Sequence, residues 1–377
     1  MRNSVGGTIK EPSRLLDIRL TMNPCPEEGK MEKCLSASRD RVFAALERKI
    51  PDRIPIGEWT IDTRVIQKIH PSLTYEDFVE QYDLDFVCAR ENQILQRIDE
   101  KCFLDEWGVM KKSMGEAVLL PTKPAVQSLQ DLERLVIPNV NASHRLEDLK
   151  RIVRRFKGRK AIVFVMHAVF IDAVHLRGME GFLTDIYENP QLVDRILDIV
   201  TAYNFQLGLR AIREGAEILV FGDDYASAHG PLMSPKHFET LIFPRLRKFV
   251  DRYKAEGGYC VKHSDGNIWS LLDAIVNLGF DAINPIDPIA GMDIEKVKGM
   301  YGNRVCLIGN IDCGELLSNG SPEEVEDVVK DCIKKAGQGG GYILSSSNTI
   351  HSGVKPENFL AMIGAGRKYG QYPLTLS

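Results

Sequence analysis

Residues 216–266, AEILVFGDDYASAHGPLMSPKHFETLIFPRLRKFVDRYKAEGGYCVKHSDG, contain one complete unit of the predicted fold. The apolar run AEILVFGDD (216–224) ends on two aspartates, which is typical of a buried strand that runs into a turn. The stretch 234–258 has apolar residues at three- and four-residue spacing and finishes on glycine, so it predicts a helix. GYCVKHSDG (258–266) is a second strand. This order predicts two parallel strands joined by a helical crossover.

The same alternation extends along the chain in both directions. Eight short apolar runs, each followed by a helical stretch, are RIPIGEW (53–59), LDFVCAR (84–90), AIVFVMH (161–167), AEILVFGDD (216–224), GYCVKHSDG (258–266), FDAINPID (280–287), VCLIGNID (305–312) and GYILSSSN (341–348). Strands that are apolar throughout are typical of a parallel sheet covered on both faces. The pattern therefore predicts an α/β protein with a single (β/α)8 TIM barrel, with a doubly wound open sheet as the alternative.

Two segments fall outside this alternation. Residues 1–35 show no clear periodicity and are interpreted as an irregular N-terminal arm, which leaves 36–377 as one barrel domain. Residues 101–126, KCFLDEWGVMKKSMGEAVLLPTKPAV, have glycine-punctuated alternating runs without a helical face. They predict a β-hairpin insertion after the second strand.

Composition limits the kinds of partner. The 377 residues carry a formal net charge of −4, with 44% hydrophobic and 27% charged residues. A small net negative charge does not attract nucleic acid or an anionic membrane, so a small-molecule or protein partner is favoured. The eight cysteines have no CxxC spacing, and no apolar run is long enough to cross a membrane. Both observations favour a cytoplasmic protein with reduced thiols.

Polar side chains follow nearly every predicted strand. Because barrel enzymes place their chemistry at the carboxyl ends of the strands, these residues are expected to meet at one mouth. The candidates are Glu58, Trp59, Glu91, His167, Asp223, Asp224, His229, His263, Asp265, Asn284, Asn310, Asn348 and His351. Asp and Asn also suit turns and helix caps, and a histidine flanked by apolar residues is commonly part of the core, so each has a structural alternative.

His263 and Asp265 form the most specific pair. Side chains two apart on a strand share a face, so these two can enter one cavity while Cys260 and Ser264 point the other way. The pair could supply two zinc ligands, with Asp223 or Asp224 as the third. Alternatively, Asp265 could fix the tautomer of a histidine that works as an acid or base without metal. A polar turn without chemistry is the third interpretation.

Several motifs, in this order, resemble the uroporphyrinogen decarboxylase superfamily over about 36–370. They are ALERKIPDRIPI, FGDDYASAHGPLMSPKHFETLIFPRLRKFV, VKHSDGN, INPID, LIGNID and SSSNTIHSGVKPENFLAMI. The resemblance implies a single (β/α)8 barrel. It also implies one of two activities, haem-pathway decarboxylation or cobalamin-dependent methyl transfer.

The sequence departs from both branches in informative ways. The decarboxylase resembled here has an arginine-rich segment after the first strand, whereas this chain has GEWTIDTRVIQKIH with Arg64 alone, beside several carboxylates that would repel a polycarboxylate. The methyltransferase branch that acts on coenzyme M holds zinc through a His-x-Cys pair and a later Cys. Here Asp265 replaces the first Cys, and SSSNTIHSG, with Asn348, offers no thiol for the second.

An oxygen-rich site favours an oxygen or nitrogen leaving group over a thiol. The resemblance therefore implies a corrinoid-dependent methyltransferase that moves a methyl group from a methoxylated or methylamine-type donor to the cobalt of a corrinoid protein. His263, Asp265, Asp223 and Asp224 are the predicted catalytic group, with zinc on His263 and Asp265, and the other strand-end residues are predicted to bind substrate. The corrinoid would be carried by a partner protein, and a homodimer is expected. The alternatives are methyl transfer from methylcobalamin to an acceptor, and a family member without decarboxylase activity.

Overall fold

The structure is a computed structural model that describes residues 37–116 and 118–375. The predicted N-terminal arm, 1–35, lies outside the described residues. No helix among the described residues is long and apolar enough to cross a membrane.

A parallel sheet of seven strands forms the wall of the barrel. The strands, in their spatial order, are β1 (Phe86–Ala89), β6 (Ala161–Met166), β7 (Ile218–Gly222), β10 (Tyr259–His263), β11 (Ala282–Asn284), β12 (Cys306–Ile311) and β13 (Tyr342–Ser346). The segment 53–61 closes the gap between β13 and β1, because Ile56 pairs with Leu344 in parallel and its carbonyl accepts from the Asp85 amide at 2.7 Å. The predicted (β/α)8 barrel is confirmed: seven of the predicted strands form the sheet, and the segment predicted as the first strand completes the wall through isolated bridges.

Helices surround this wall. They are α1 (Ala37–Leu46), α2 (Thr63–Ile69), α3 (Tyr75–Gln81), α4 (Leu129–Glu133), α5 (Glu147–Phe156), α6 (Phe170–Arg177), α7 (Met179–Glu188), α8 (Pro190–Glu214), α9 (Pro235–His237), α10 (Phe243–Ala255), α11 (Trp269–Asn277), α12 (Ile294–Tyr301), α13 (Leu316–Asn319), α14 (Pro322–Ala336) and α15 (Pro356–Tyr369). The first of them, α1, packs its buried residues Val42, Ala45 and Leu46 against the apolar cluster inside the barrel. A π-helical turn, Phe238–Ile242, joins α9 to α10, so the helix predicted over 234–258 is nearly continuous.

Strand residues alternate between two apolar layers. Phe86, Val163, Val220 and Val261 belong to a cluster inside the barrel, whereas their immediate neighbours in the chain pack outward against the helices. Since side chains two apart share a face, this alternation decides which residues at the end of each strand face the mouth.

The insertion after the second barrel strand is larger than a hairpin. It is an antiparallel sheet of four strands, β2 (Gln96–Arg97), β3 (Cys102–Leu104), β4 (Met110–Lys112) and β5 (Leu120–Lys123). Glu116, between β4 and β5, pairs with Arg64 at 3.1 Å and accepts from Ser352 Oγ at 2.7 Å. These contacts place one end of the insertion against loops at the carboxyl ends of the barrel strands. A short hairpin, β8 (Ala226–Ser227) and β9 (Gly230–Pro231), follows β7 at the same end.

Candidate active site at the barrel mouth

Three ionisable side chains meet where β7 and β10 end. His263 is the last residue of β10 and faces the interior with Val261, and Asp265 lies two residues further on the same side. The His263 Nε2 atom is 3.4 Å from Asp265 Oδ1 and 3.6 Å from Asp224 Oδ1. The two carboxylates are joined through the backbone, since the Asp265 amide donates to Asp224 Oδ1 at 3.0 Å. The predicted association of His263, Asp265 and Asp224 is therefore present in the geometry.

Gly266 lets the loop after β10 approach the neighbouring hairpin. Its φ is +84°, in the left-handed region, and a Cβ atom there would lie 2.4 Å from the Ala226 carbonyl oxygen. The Gly266 amide donates to Asp287 Oδ2 at 2.9 Å. A glycine is required at this position because any side chain would push the loop, and Asp265 with it, away from β7.

Asn284 fixes the orientation of the His263 ring. Its Oδ1 atom accepts from Trp59 Nε1 at 2.7 Å and lies 2.5 Å from His263 Nδ1, while its Nδ2 atom donates to the Ile308 carbonyl at 3.0 Å. Because an indole N–H can only donate, the atom between Trp59 and His263 must be the amide oxygen. His263 Nδ1 therefore bears the hydrogen, and in the neutral ring the Nε2 lone pair faces the two carboxylates.

Asp265 is the least satisfied member of the cluster. Its Oδ2 atom accepts a hydrogen bond from Asn348 Nδ2, but its Oδ1 atom is buried without a hydrogen-bond partner among the described residues. Burial raises the pKa of Asp265 to about 6, with Asp224 and Asp287 adding to the rise and His263 opposing it. A proton on Asp265, a proton on His263 or a bound cation would each relieve the unfavourable contact between carboxylate and lone pair.

The cluster fits a zinc ion. One ligand atom from each of Asp224, His263 and Asp265 can be chosen so that all lie within 4.8 Å of one another. Two ligands of a tetrahedral zinc bound at ~2.0–2.1 Å lie about 3.3 Å apart, close to the two distances measured from Nε2. The unpartnered Asp265 oxygen and the Nδ1 hydrogen bond, which leaves Nε2 free, are both features of a metal-binding histidine and carboxylate.

Asp223, the other half of the predicted aspartate pair, is committed elsewhere. It is fully buried, and its carboxylate accepts from the amides of four successive residues, 168–171, at 2.8 to 3.3 Å. These are the free N–H groups at the start of α6, where a carboxylate is stabilised by hydrogen bonds and by the helix dipole. Asp223 therefore holds α6 against β7, and Asp224 is the aspartate that reaches His263.

Glu58 is buried on the outer side of the segment 53–61, with the parity of Ile56 rather than that of the interior residue Trp59. Its carboxylate accepts from the Ser346 amide at 2.8 Å, from Ser346 Oγ at 2.7 Å and from Ser345 Oγ at 3.2 Å. Burial raises the pKa of Glu58 to about 8, against the hydrogen bonds of Ser346 and Ser345. The residue predicted to bind substrate thus joins the first strand segment to β13, and it can hold a proton at neutral pH. Trp59, beside it, stacks on Phe86 with ring centres 4.8 Å apart.

His167 forms a second polar group on the interior side of β6. Its Nδ1 atom is 2.7 Å from Asp172 Oδ1, and Asn204 Nδ2 donates to the other Asp172 oxygen at 2.8 Å. Burial acts to lower the pKa of His167, but the charge and hydrogen bond of Asp172 outweigh it and the pKa is raised. His167 is half-exposed, and the His167–Asp172 pair, which favours the protonated form of the histidine, faces the mouth.

Two further candidates do not join the His263 cluster. Glu91 pairs with Arg145 at 3.0 Å and accepts a hydrogen bond from Tyr203, contacts that join the exit of β1 to α8. His229 is exposed in the turn between β8 and β9, where its amide donates to Ser227 Oγ at 3.2 Å.

The last two candidates are also engaged by the scaffold. Asn310 donates to the Ile286 carbonyl at 2.8 Å, and its Oδ1 atom lies 3.3 Å from the Cys332 sulfur on α14. His351 accepts at Nδ1 from the Gly353 amide at 3.1 Å, so its Nε2 bears the hydrogen and faces the Cys313 carbonyl at 3.2 Å. Both ring nitrogens of His351 are thereby used in holding loops together.

The sequence analysis missed Lys262. This lysine is fully buried on the outer side of β10, and its ammonium donates to the carbonyls of Asp223 and His263 while lying 3.8 Å from the centre of the Tyr225 ring. Burial lowers the pKa of Lys262 to about 8. The lysine ties together the strand ends that carry the cluster, and a charged residue inside an apolar strand was the signal that could have revealed it.

Comparison with known proteins gives the family. A family model described as uroporphyrinogen decarboxylase (URO-D) matches residues 110–369, more than half of the chain. The chain belongs to the uroporphyrinogen decarboxylase family. The resemblance inferred from the sequence motifs is thereby confirmed.

Relatives within this family differ in activity. A uroporphyrinogen decarboxylase from Coxiella burnetii is 24% identical over 362 residues, covering 89% of this chain and 96% of the relative. The methylcobamide:CoM methyltransferase MtbA from Methanosarcina acetivorans is 25% identical over 250 residues, covering 66% and 70%. The solved structure of a methyltransferase from Methanosarcina mazei has a TM-score of 0.71 at 22% identity, covering 88% of this chain and 98% of that one, which supports the shared barrel fold.

Proposed function

We propose that this protein is a corrinoid-dependent methyltransferase that takes a methyl group from a methoxylated or methylamine-type donor. The acceptor is the Co(I) form of a corrinoid held by a partner protein. The observation that carries the proposal is the His263–Asp265–Asp224 cluster, with its unpartnered carboxylate oxygen at the barrel mouth. The names of the Methanosarcina relatives support methyl transfer involving a cobamide.

The chain's own residues can assist the leaving group. In the transfer, cobalt attacks the methyl carbon, the carbon–oxygen bond breaks, and its electron pair goes to the oxygen, which must receive a proton. Asp265, with a pKa raised to about 6 by burial, can hold that proton, and His263 can relay it through Nε2. Asn284 keeps Nε2 pointed at the carboxylates by holding Nδ1. For an amine donor the same groups would face the departing nitrogen.

Zinc is the alternative source of this assistance. Asp224, His263 and Asp265 would hold it, and when bound it would supply a Lewis acid that polarises the donor oxygen or nitrogen. In that case Asp265 binds as a carboxylate and does not hold the proton.

The ligand chemistry favours the donor side of the reaction over a thiol acceptor. The three-residue cluster consists of one imidazole and two carboxylates, with no cysteine among the described residues that form it. Cys313 is nearby in the fold, but burial raises the pKa of its thiol to about 11, and its sulfur lies 3.5 Å from Ser347 Oγ. A hard, oxygen-rich site is better matched to an ether or amine than to thiolate activation.

Decarboxylation is the second candidate, because the decarboxylase relative matches a longer part of the chain. Recognition of the polycarboxylate uroporphyrinogen requires several free cations at the mouth. Arg64, the arginine in the segment after the first strand, is already paired with Asp62 at 2.6 Å and with Glu116. Asp224 and Asp265 add negative charge at the mouth, so this activity is disfavoured.

Methyl transfer to reduced cobalamin tests the proposal. The purified protein is incubated with cob(I)alamin and a panel of methoxylated aromatics and methylamines, and methylcobalamin is measured by absorbance. We expect transfer from at least one donor, a fall of at least ten-fold in His263→Ala and Asp265→Ala, and no change in His70→Ala, which removes an exposed histidine at the end of α2. Release of CO₂ from uroporphyrinogen without methyl transfer would instead favour the decarboxylase.

A further inference from the structure

Arg90 occupies an inward-facing position at the mouth. It directly follows β1, and it has the same parity as Phe86 and Cys88, which lie in the interior cluster. The β1–β6 register pairs Ala89 with Phe164, so its continuation puts Arg90 opposite Val165, two residues before His167. Arg90 therefore lies on the same inner wall of the mouth as His167.

The guanidinium of Arg90 is largely unused. Its side-chain hydrogen bond is to Thr60 Oγ1, at 2.6 Å. Over residues 37–116 and 118–375, no carboxylate oxygen lies within ion-pair distance of it, whereas Arg64 at the same end of the barrel has two carboxylate partners. A guanidinium has five N–H donors in a planar fork that matches a carboxylate, so most of the recognition capacity of Arg90 is free.

The guanidinium of Arg90 lies at a partly desolvated position. Arg90 is accessible to solvent, but it lies in a concave mouth where the protein around it lowers its pKa by desolvation. Its charge also acts to lower the pKa of His167. Asp172, the acid in contact with the His167 ring, is already engaged by His167 and Asn204 and does not pair with Arg90.

Arg90 is connected to the candidate site through Trp59. Thr60, which accepts from Arg90, follows Trp59 in the chain, and the Trp59 indole reaches Asn284, the residue that holds His263. The mouth therefore has the free guanidinium of Arg90 on one side and the carboxylates of Asp224 and Asp265 on the other. A donor with a carboxylate at one end and a methylated oxygen or nitrogen at the other matches this polarity.

We propose that Arg90 binds the carboxylate of an organic-acid methyl donor and so directs the donor's methylated end toward His263. The inference deepens the proposed function and rests on it for the nature of the donor. It assigns Arg90 as a specificity residue that forms a paired N–H···O contact with the carboxylate, without taking part in breaking the methyl bond.

Binding is measured separately from methyl transfer. Titration calorimetry without corrinoid compares para-methoxybenzoate with its neutral analogue para-methoxybenzamide, on wild type, Arg90→Gln, Arg90→Lys and the control Arg252→Gln. Arg252 is exposed on α10 and pairs with Glu256, so its loss leaves the mouth unchanged. We expect the acid to bind wild type at least ten-fold more tightly than the amide, and Arg90→Gln to abolish that preference. Arg90→Lys should keep part of it.

The outcomes separate the two proposals. Equal binding of acid and amide by wild type, no binding of either, or an unchanged preference in Arg90→Gln would each overturn the assignment of Arg90. Selective acid binding that depends on Arg90, found in a protein that forms no methylcobalamin, would keep the carboxylate site and overturn the methyltransferase. Circular dichroism of each variant establishes that it is folded.

Discussion

Replacing Asp265 with asparagine should stabilise the metal-free protein at neutral pH. The Asp265 Oδ2 atom accepts from Asn348, and an amide oxygen can do the same. The introduced NH₂ group would take the place of the unpartnered Oδ1 atom, 3.4 Å from His263 Nε2, where it can donate to the lone pair. The substitution thus removes a buried charge while it supplies the missing hydrogen bond.

The size and pH range of the effect follow from the pKa of Asp265. Burial raises it from 3.8 to about 6, so the folded protein binds this proton more tightly than the unfolded chain does. Below about pH 4, Asp265 therefore does not lower the free energy of unfolding of wild type. Its unfavourable contribution grows as the pH rises to about 6 and stays constant above that pH. At 1.36 kcal/mol per pH unit the upper limit of the penalty is about 3 kcal/mol. Because the side chain is 29% exposed and water screens its charge, we expect a penalty between about 1 kcal/mol and this limit.

Urea unfolding from pH 4 to 8, after removal of metal with a chelator, measures this difference. The free energy of unfolding of Asp265→Asn should exceed that of wild type by about 1–3 kcal/mol above pH 6, and the two should converge near pH 4. Asp327→Asn, which changes an exposed aspartate on α14, should follow wild type throughout. Added zinc should reverse the order, since a ligand at about 1,000 times its Kd stabilises wild type by about 4.1 kcal/mol, more than the expected advantage of Asp265→Asn. Parallel pH profiles of wild type and Asp265→Asn would refute the reasoning.

Two further substitutions separate positioning from scaffold roles. Asn284→Leu removes the acceptor shared by Trp59 and His263, so zinc affinity, measured by chelator competition, should fall by about 10–100-fold. Unchanged affinity would mean that the His263 ring does not need the hydrogen bond to Asn284 to bind zinc. Asp223→Asn weakens the cap of α6, so it should lower the free energy of unfolding by about 1–2 kcal/mol and change zinc affinity by less than about two-fold. Loss of methyl transfer at unchanged stability would instead mean that Asp223 takes part in the reaction.

The barrel was predictable because its strands are buried on both faces. Such strands are continuous apolar runs in the sequence, and each run ends at a glycine or at polar residues. The number and order of the strands can therefore be predicted. The closing segment, 53–61, was predicted as a strand for the same reason, although the structure pairs it only through isolated bridges. The insertion was recognised as antiparallel, but its four strands are only two to four residues long and carry too little pattern to count.

Strand parity also decided part of the site. Because inward residues alternate, Val261, His263 and Asp265 share one face, and Asp224 continues the inward line of Val220. The same parity puts Asp223 on the outer side, where the structure finds it capping α6. The two aspartates were thus distinguishable in principle from the sequence.

Other contacts depend on loops that sequence alone does not position. His351 is held by the Cys313 carbonyl, which belongs to the loop after a different strand. Asn348, by contrast, reaches Asp265 across the mouth, although 83 residues separate them in the chain. Whether a polar residue at the end of a strand turns into the mouth or into a neighbouring loop is decided by packing between distant segments, and a local pattern carries no information about that packing.

The leaving-group dependence of methyl transfer tests the central claim most directly. Rates of methylcobalamin formation from ring-substituted methoxybenzoates, which release phenols of graded acidity, are compared for wild type and His263→Ala. If the cluster assists departure of the oxygen, wild type should show a shallow dependence on phenol pKa, and His263→Ala a steeper one with the largest loss for the least acidic phenol. The same slope in both proteins, or no transfer from any donor in wild type, would contradict the account.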